Sequence, residues 1–159
     1  MIYLGCDPGV SGAIATSEGW VESLPIAGKP KARELDAVEF VRLLKPHIEY
    51  SGPPIGAPPA VCALETQWHG KKEGHARSKF VVYGGILATL QVLGLRVVQV
   101  PPKVWKRYLG LGKSKDDAVR LAEQEFDCSA VITGPRGGKD HNLAEALLLA
   151  RYAEMYLRR

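Results

Sequence analysis

Cysteine is scarce and poorly placed for a structural role. Cys6, Cys62 and Cys128 are three residues in 159, an odd number with no CxxC spacing. This argues against a disulfide framework and a structural zinc site, and predicts buried thiols in a reducing compartment. Long apolar runs are also missing. The most apolar stretch, Phe80 to Val100, is broken by Gly84, Gly85, Gln91, Gly94 and Arg96, short of the roughly 18 uninterrupted apolar residues of a membrane span. Met1 to Asp7 has no cationic run ahead of an apolar segment and cleavage site, so export is not expected and the cytoplasm is the expected location. There is no internal repeat and no large excess of one charge: 21 Lys+Arg against 17 Asp+Glu leave +4 and a pI near 9.0. Such a mild excess fits a polyanionic partner without requiring one, so the placement of charge has to decide. The 17 glycines and 11 prolines are too few for a disordered or collagenous chain, and 159 residues suit one domain, 1–159, without a separate partner module.

The segments that are present alternate in type. Ile2 to Cys6, Gly12 to Thr16 and Trp20 to Leu24, separated by turn residues, read as three antiparallel strands. After a Pro-, Gly- and Lys-rich loop from Pro25 to Arg33, Asp36 can cap a helix with Val38, Val41, Leu43, Leu44 and Ile48 at helical spacing. Ser51 to Pro59 carries too many prolines for regular structure and leads into a strand, Val61 to Leu64, ending at Glu65. Phe80, Tyr83, Ile86, Leu87, Leu90 and Leu93 predict a long helix from Arg77 to Leu93, and Arg96 to Val100 a further strand. Pro101 and Pro102 open a short helix, Ser114 caps another reaching Phe126, and a last helix runs from near Asn142 to the C-terminus. The order implies an α/β fold: a mixed five-stranded sheet with an antiparallel edge and helices on both faces.

Acids stand where strands end. Asp7 follows the first strand directly and precedes the Pro8-Gly9-Val10-Ser11-Gly12 turn, while Glu65 closes the Ala60 to Leu64 strand. In α/β sheets ligands gather at such strand ends. Glu145 interrupts an otherwise core-like run, Ala144 to Ala150, and His141 lies one turn earlier on the same helical face. Converging carboxylates repel unless a cation neutralises them, and an oxygen-rich set suits Mg²⁺ or Mn²⁺. Bland readings exist for each: Asp7 can satisfy turn amides, Glu145 can complete a capping box from Asn142, and a lone histidine is commonly a surface residue.

Four ordered segments resemble the RuvC family of Holliday junction resolvases, within the RNase H-like and retroviral integrase superfamily. They are Leu4-Gly5-Cys6-Asp7-Pro8-Gly9 with Gly12, Leu64-Glu65-Thr66-Gln67-Trp68, Val104-Trp105-Lys106 leading through Gly110-Leu111-Gly112 to the Lys115 helix, and Ala144-Glu145-Ala146-Leu147-Leu148-Leu149-Ala150. The compact length is similar to that of bacteriophage members. The resemblance implies an RNase H-like fold and an endonuclease that cuts four-way junctions in pairs, leaving 5′-phosphates with two Mg²⁺ per site. Asp7 would bridge both ions, and Glu65 and Glu145 would hold one each. The family's remaining position, usually Asp or His one turn before the last acid, is Asn142 at three residues back. His141, four back, is the favoured substitute for orienting or activating water. Asp140, five back, lies roughly 140° round an ideal helix from Glu145, but is free to turn inward if the helix begins only at Asn142, and is held in reserve as a ligand.

Basic residues flank these acids: Lys71, Lys72, Arg77 and Lys79 after Glu65, and Lys103, Lys106, Arg107, Lys113 and Lys115 without an intervening acid. Phosphate contact is the expected role. Trp68 matches a family aromatic that stacks on junction bases. Two symmetric cuts imply a C₂ homodimer; Gly84, Gly85 and Ala88 permit close contact through the helix the family uses for it. Three rivals remain: an actin-like ATP-binding domain on the Asp7 turn, for which the chain is short; a non-catalytic junction-binding protein, which would not need the acids; and a nuclease with broader taste for branched or flap DNA.

Overall fold

The computed structural model describes residues 1–29, 32–48, 58–67, 76–112, 114–127, 132–134 and 137–158. Strands β1 (Ile2–Asp7), β2 (Ala13–Thr16) and β3 (Val21–Ser23) form an antiparallel meander. The Pro-, Gly- and Lys-rich segment expected to be a loop carries a two-stranded ribbon, β4 (Ile26–Ala27) with β5 (Glu34–Leu35). Helix α1 (Ala37–Ile48) follows, capped by Asp36, whose Oδ1 accepts the Glu39 amide at 3.0 Å. Then come β6 (Ala60–Glu65), α2 (Ala76–Val92), β7 (Arg96–Val100), α3 (Pro102–Tyr108), α4 (Lys115–Phe126) and α5 (His141–Leu157). Sheet order is β3-β2-β1-β6-β7, with β1, β6 and β7 parallel. The expected mixed five-stranded sheet with an antiparallel edge is therefore present.

Alternation along the strands divides the core in two. Leu4, Cys6, Cys62 and Leu64 point toward α1 and α2, where Phe40, Leu44, Val82, Ile86 and Leu90 are buried. Tyr3, Val61 and Ala63 point toward α5, which buries Leu147, Leu148 and Leu149 beside Trp105 of α3 and Ala118 and Ala122 of α4. Cys6 and Cys62 are buried free thiols, and burial pushes the Cys62 thiol up to about 12; Cys128 lies outside the described residues. Two expected core positions face water instead: Val38 is 72% exposed, because Phe40 takes the inward place on α1, and Phe80 is 52% exposed on α2. Among the described residues no helix is long and apolar enough to cross a membrane.

Two glycines set the approach of elements around β1. A Cβ at Gly5 would lie 2.1 Å from the Ala150 amide nitrogen and 2.3 Å from the Ala146 carbonyl oxygen. Only a residue without a side chain lets α5 cross β1 this closely. At Gly12 a Cβ would lie 2.1 Å from the Asp7 carbonyl oxygen, so the turn that folds back over the end of β1 also depends on glycine.

Candidate active site

Asp7 shares strand parity with Tyr3 and Gly5, and Glu65 with Val61 and Ala63, so both carboxylates leave the sheet on the α5 face. Parallel pairing sets Cys6 opposite Leu64, which brings the two acids out side by side where β1 and β6 end. Glu145 immediately precedes Ala146, the residue whose carbonyl rests on Gly5, and the crossing of α5 over β1 therefore carries a third carboxylate to the same edge. Glu65 and Glu145 are both buried.

Their nearest partners come from α3. The Trp105 indole, itself fully buried, donates from Nε1 to Glu65 Oε2 at 2.7 Å. Lys106 Nζ donates to Glu145 Oε1, also at 2.7 Å, and lies 5.1 Å above the Trp105 ring. Prolines at 101 and 102 start this helix directly off the end of β7, and so put Trp105 and Lys106 beside the acids. The Asp7 carboxylate accepts no hydrogen bond from any described residue. Its surface is only partly covered, yet loss of hydration is the leading reason its pKa is raised well above the usual carboxylate range. Repulsion from Glu65, Glu145 and Asp140 adds to this, and Lys106 opposes it. Glu65 is raised by burial and by Glu145, with the Trp105 hydrogen bond and Lys106 pulling the other way. The cluster is electrostatically frustrated in favour of an added cation.

Other sequence-selected residues are distributed around it. Asp140 caps α5, its Oδ1 accepting the Asn142 amide at 2.9 Å, so the helix begins at His141 and the capping box from Asn142 is not formed. His141 and Asp140 line a cleft with Ser11 and Gly12 but not with Asp7, whereas Asn142 lines both this cleft and the neighbouring one that holds Asp7. Lys79 belongs to the Asp7 cleft, and Arg77 sits one wall away near Arg33. Lys106 and Arg107 share an open cleft with Glu145, Lys103 and Ser114, the N-cap of α4. Trp68, Lys71, Lys72 and Lys113 lie outside the described residues, and of Lys115 only the backbone, the first residue of α4, is described. Sequence reasoning did not foresee that Trp105 and Lys106 hold two of the acids. Nor did it foresee Gln67, whose Nε2 donates to the Pro8 carbonyl at 2.5 Å and ties the β6 end to the Asp7 turn.

Among the described residues no three His, Cys, Asp or Glu side chains are grouped as a metal cage. The chemistry of the donors nevertheless fits a hard divalent cation. Both Asp7 oxygens, Glu65 Oε1 and Glu145 Oε2 have no hydrogen-bond partner among the described residues, and the repulsion that raises Asp7 is what such an ion would relieve. An ion bound there has to compete with Lys106 for Glu145.

No protein-family model matches the chain, and no curated protein matches it in sequence. Solved structures do match. A Thermus thermophilus RuvC structure aligns at 18% identity and a TM-score of 0.58, covering 99% of this chain and 96% of that one. T. thermophilus RuvC in complex with Holliday junction substrate aligns at 17% identity and 0.55, with the same coverage. At this identity the likeness establishes the fold, an RNase H-like α/β fold of the RuvC type, over essentially the whole chain.

Proposed function

We propose that this chain, which folds as RuvC does, is a metal-dependent, structure-selective endonuclease that resolves four-way DNA junctions by paired cuts leaving 5′-phosphates. The observation that carries the reading is the convergence of Asp7, Glu65 and Glu145 at the sheet edge, with Asp7 deprived of any described hydrogen-bond partner. The junction-bound state of the Thermus structure supports the choice of substrate.

Asp7, Glu65 and Glu145 would hold the divalent ions, with Asp140 in reserve; Mg²⁺ or Mn²⁺, when bound, supplies Lewis acidity and lowers the pKa of water. The chain's own contribution is positioning. Trp105 fixes one Glu65 oxygen and so points the other toward the cleft. Lys106 balances the buried Glu145 charge in the resting enzyme and, once displaced, offers its ammonium to a backbone phosphate. Gln67 holds the Asp7 turn in place. His141 orients or activates the attacking water, and Arg77, Lys79, Arg107, Lys113, Lys115, Lys71 and Lys72 contact the DNA backbone, with Trp68 stacking on junction bases.

Paired cutting calls for a second copy related by two-fold symmetry. The outward stripe of α2, Phe80, Val81, Gly84, Ala88 and Val92, is exposed and apolar, and nothing lies within 4 Å of a Cβ placed on Gly84. A stripe of that kind supports helix-to-helix dimerisation. Asp7→Asn tests the catalytic assignment: junction binding persists and cutting is lost, whereas cleavage near the wild-type rate in Mg²⁺ would refute it.

A further inference from the structure

The cleft beside Asp7 has an opposite wall of which the proposed function uses only Lys79. It has a volume of about 510 Å³, and beyond Asp7, its turn and Gln67 it is lined by Arg33, Ser78, Lys79 and Asn142. These four come from three separate segments: the strand-flanking residue before β5, the first turn of α2 and the first turn of α5. Ser78 is only 5% exposed, yet its hydroxyl makes no hydrogen bond with any described residue. The Asn142 side-chain amide is likewise unmatched, and Arg33 forms no ion pair among the described residues. Leaving a buried hydroxyl unsatisfied is unfavourable, so a surface that collects one beside an arginine fork and an amide is arranged for an acceptor from outside. Arg33, Ser78 and Asn142 can all donate, and the Arg33 guanidinium cannot accept; a cationic ligand would be repelled by it, whereas an anion with two oxygens matches the arginine fork and the hydroxyl together.

We infer that Arg33, Ser78 and Asn142 form a subsite for a phosphodiester of the cut strand, neighbouring the one hydrolysed at the carboxylates. The assignment rests on the nuclease reading for its substrate, and on the cleft alone for its anion chemistry. A phosphodiester presents two non-bridging oxygens, enough for the bidentate arginine and the hydroxyl together. Anchoring one linkage fixes the register of the strand, so the next linkage lies over Asp7 rather than sliding past it.

Two measurements test this. In the first, the isotopically labelled full chain is titrated with inorganic phosphate and followed by NMR at the Arg33 Nε–H and the Asn142 side-chain amide. Saturable shifts at these two groups, lost in Ser78→Ala or Arg33→Gln, are expected; shifts absent there, or spread evenly over surface lysines, would overturn the subsite. Ser78→Ala removes a hydroxyl without a described partner, so its thermal stability should equal or exceed that of the parent. In the second, single neutral methylphosphonate linkages are walked along the strand on either side of the cut. One position should weaken wild-type binding about tenfold, the scale of a charge-assisted hydrogen bond, and Arg33→Gln should be insensitive at that position alone. Arg33→Lys should recover part of the response. Identical sensitivity of wild type and Arg33→Gln at every linkage would refute the assignment. If the wild-type chain binds no branched DNA, the functional reading fails, while the phosphate titration still decides the subsite.

Discussion

Removing the Asp7 charge should stabilise the metal-free fold while destroying its activity. Asp7→Asn keeps the shape of the side chain, so no cavity opens, and it deletes the repulsion that Asp7 feels from Glu65, Glu145 and Asp140. Lys106, the cation that opposes that repulsion among the described residues, is already engaged by Glu145 at 2.7 Å; the repulsion exists only where folding brings the carboxylates together, so the relief falls on the folded state. A carboxyl whose folded pKa is raised contributes stability that is fully present below its unfolded pKa and is lost as pH rises through its folded pKa. Asp7 and Glu65 both belong to this class, and the wild-type chain in EDTA should therefore lose stability as pH rises above about 4, the unfolded carboxyl value. Relieving one such charge is expected to add about 1–2 kcal/mol at neutral pH. For a domain of this size that is roughly 2–8 °C in Tm. Calorimetry or urea unfolding across that pH range, with chelator present, should show Asp7→Asn melting higher and with a shallower pH dependence. An unchanged or lower Tm together with the wild-type pH slope would refute the electrostatic account of the site.

Other substitutions probe different joints of the structure. Gly5→Ala forces a Cβ to 2.1 Å from the α5 backbone and should cost about 3 kcal/mol or more, visible as a collapse of the urea midpoint or as insoluble protein. Trp105→Phe removes the indole donor to Glu65 at 2.7 Å; cleavage should fall about tenfold or more while junction affinity changes little, measured by single-turnover kinetics and gel shift. Val81→Asp on the exposed α2 stripe should leave the fold intact but give a monomer in analytical centrifugation, with single nicks replacing paired cuts.

Much of the fold was readable because strands and helices here follow their own periodicities. Asp7, Glu65 and Glu145 could be singled out because each is an acid set into apolar sequence, and strand parity then makes the first two face α5. What could not be read depends on contacts distant in the chain. Trp105 reaches Glu65 across 40 residues and Lys106 reaches Glu145 across 39, pairs that no local pattern encodes. Lys106 accordingly reads as one more phosphate-binding lysine in sequence. Val38 fits a helical apolar pattern but lies on the wet face, because the competing Phe40 buries a larger ring. The β4–β5 ribbon is hidden for another reason: strands of two residues carry no periodicity, and only the hairpin pairing of Ile26 with Leu35 and Ala27 with Glu34 defines them.

The central claim, a carboxylate-centred junction nuclease, is tested most directly by one cleavage panel. Synthetic four-way junctions, flaps and plain duplex are incubated with the full chain in Mg²⁺, in Mn²⁺ and in EDTA, and the product ends are mapped. The account predicts symmetrical paired incisions in the four-way junction, with 5′-phosphate ends, in either metal and none in EDTA, and little cutting of duplex. Equal cutting of duplex and junction, cutting that persists in EDTA, or an inert wild-type chain in both metals would contradict it.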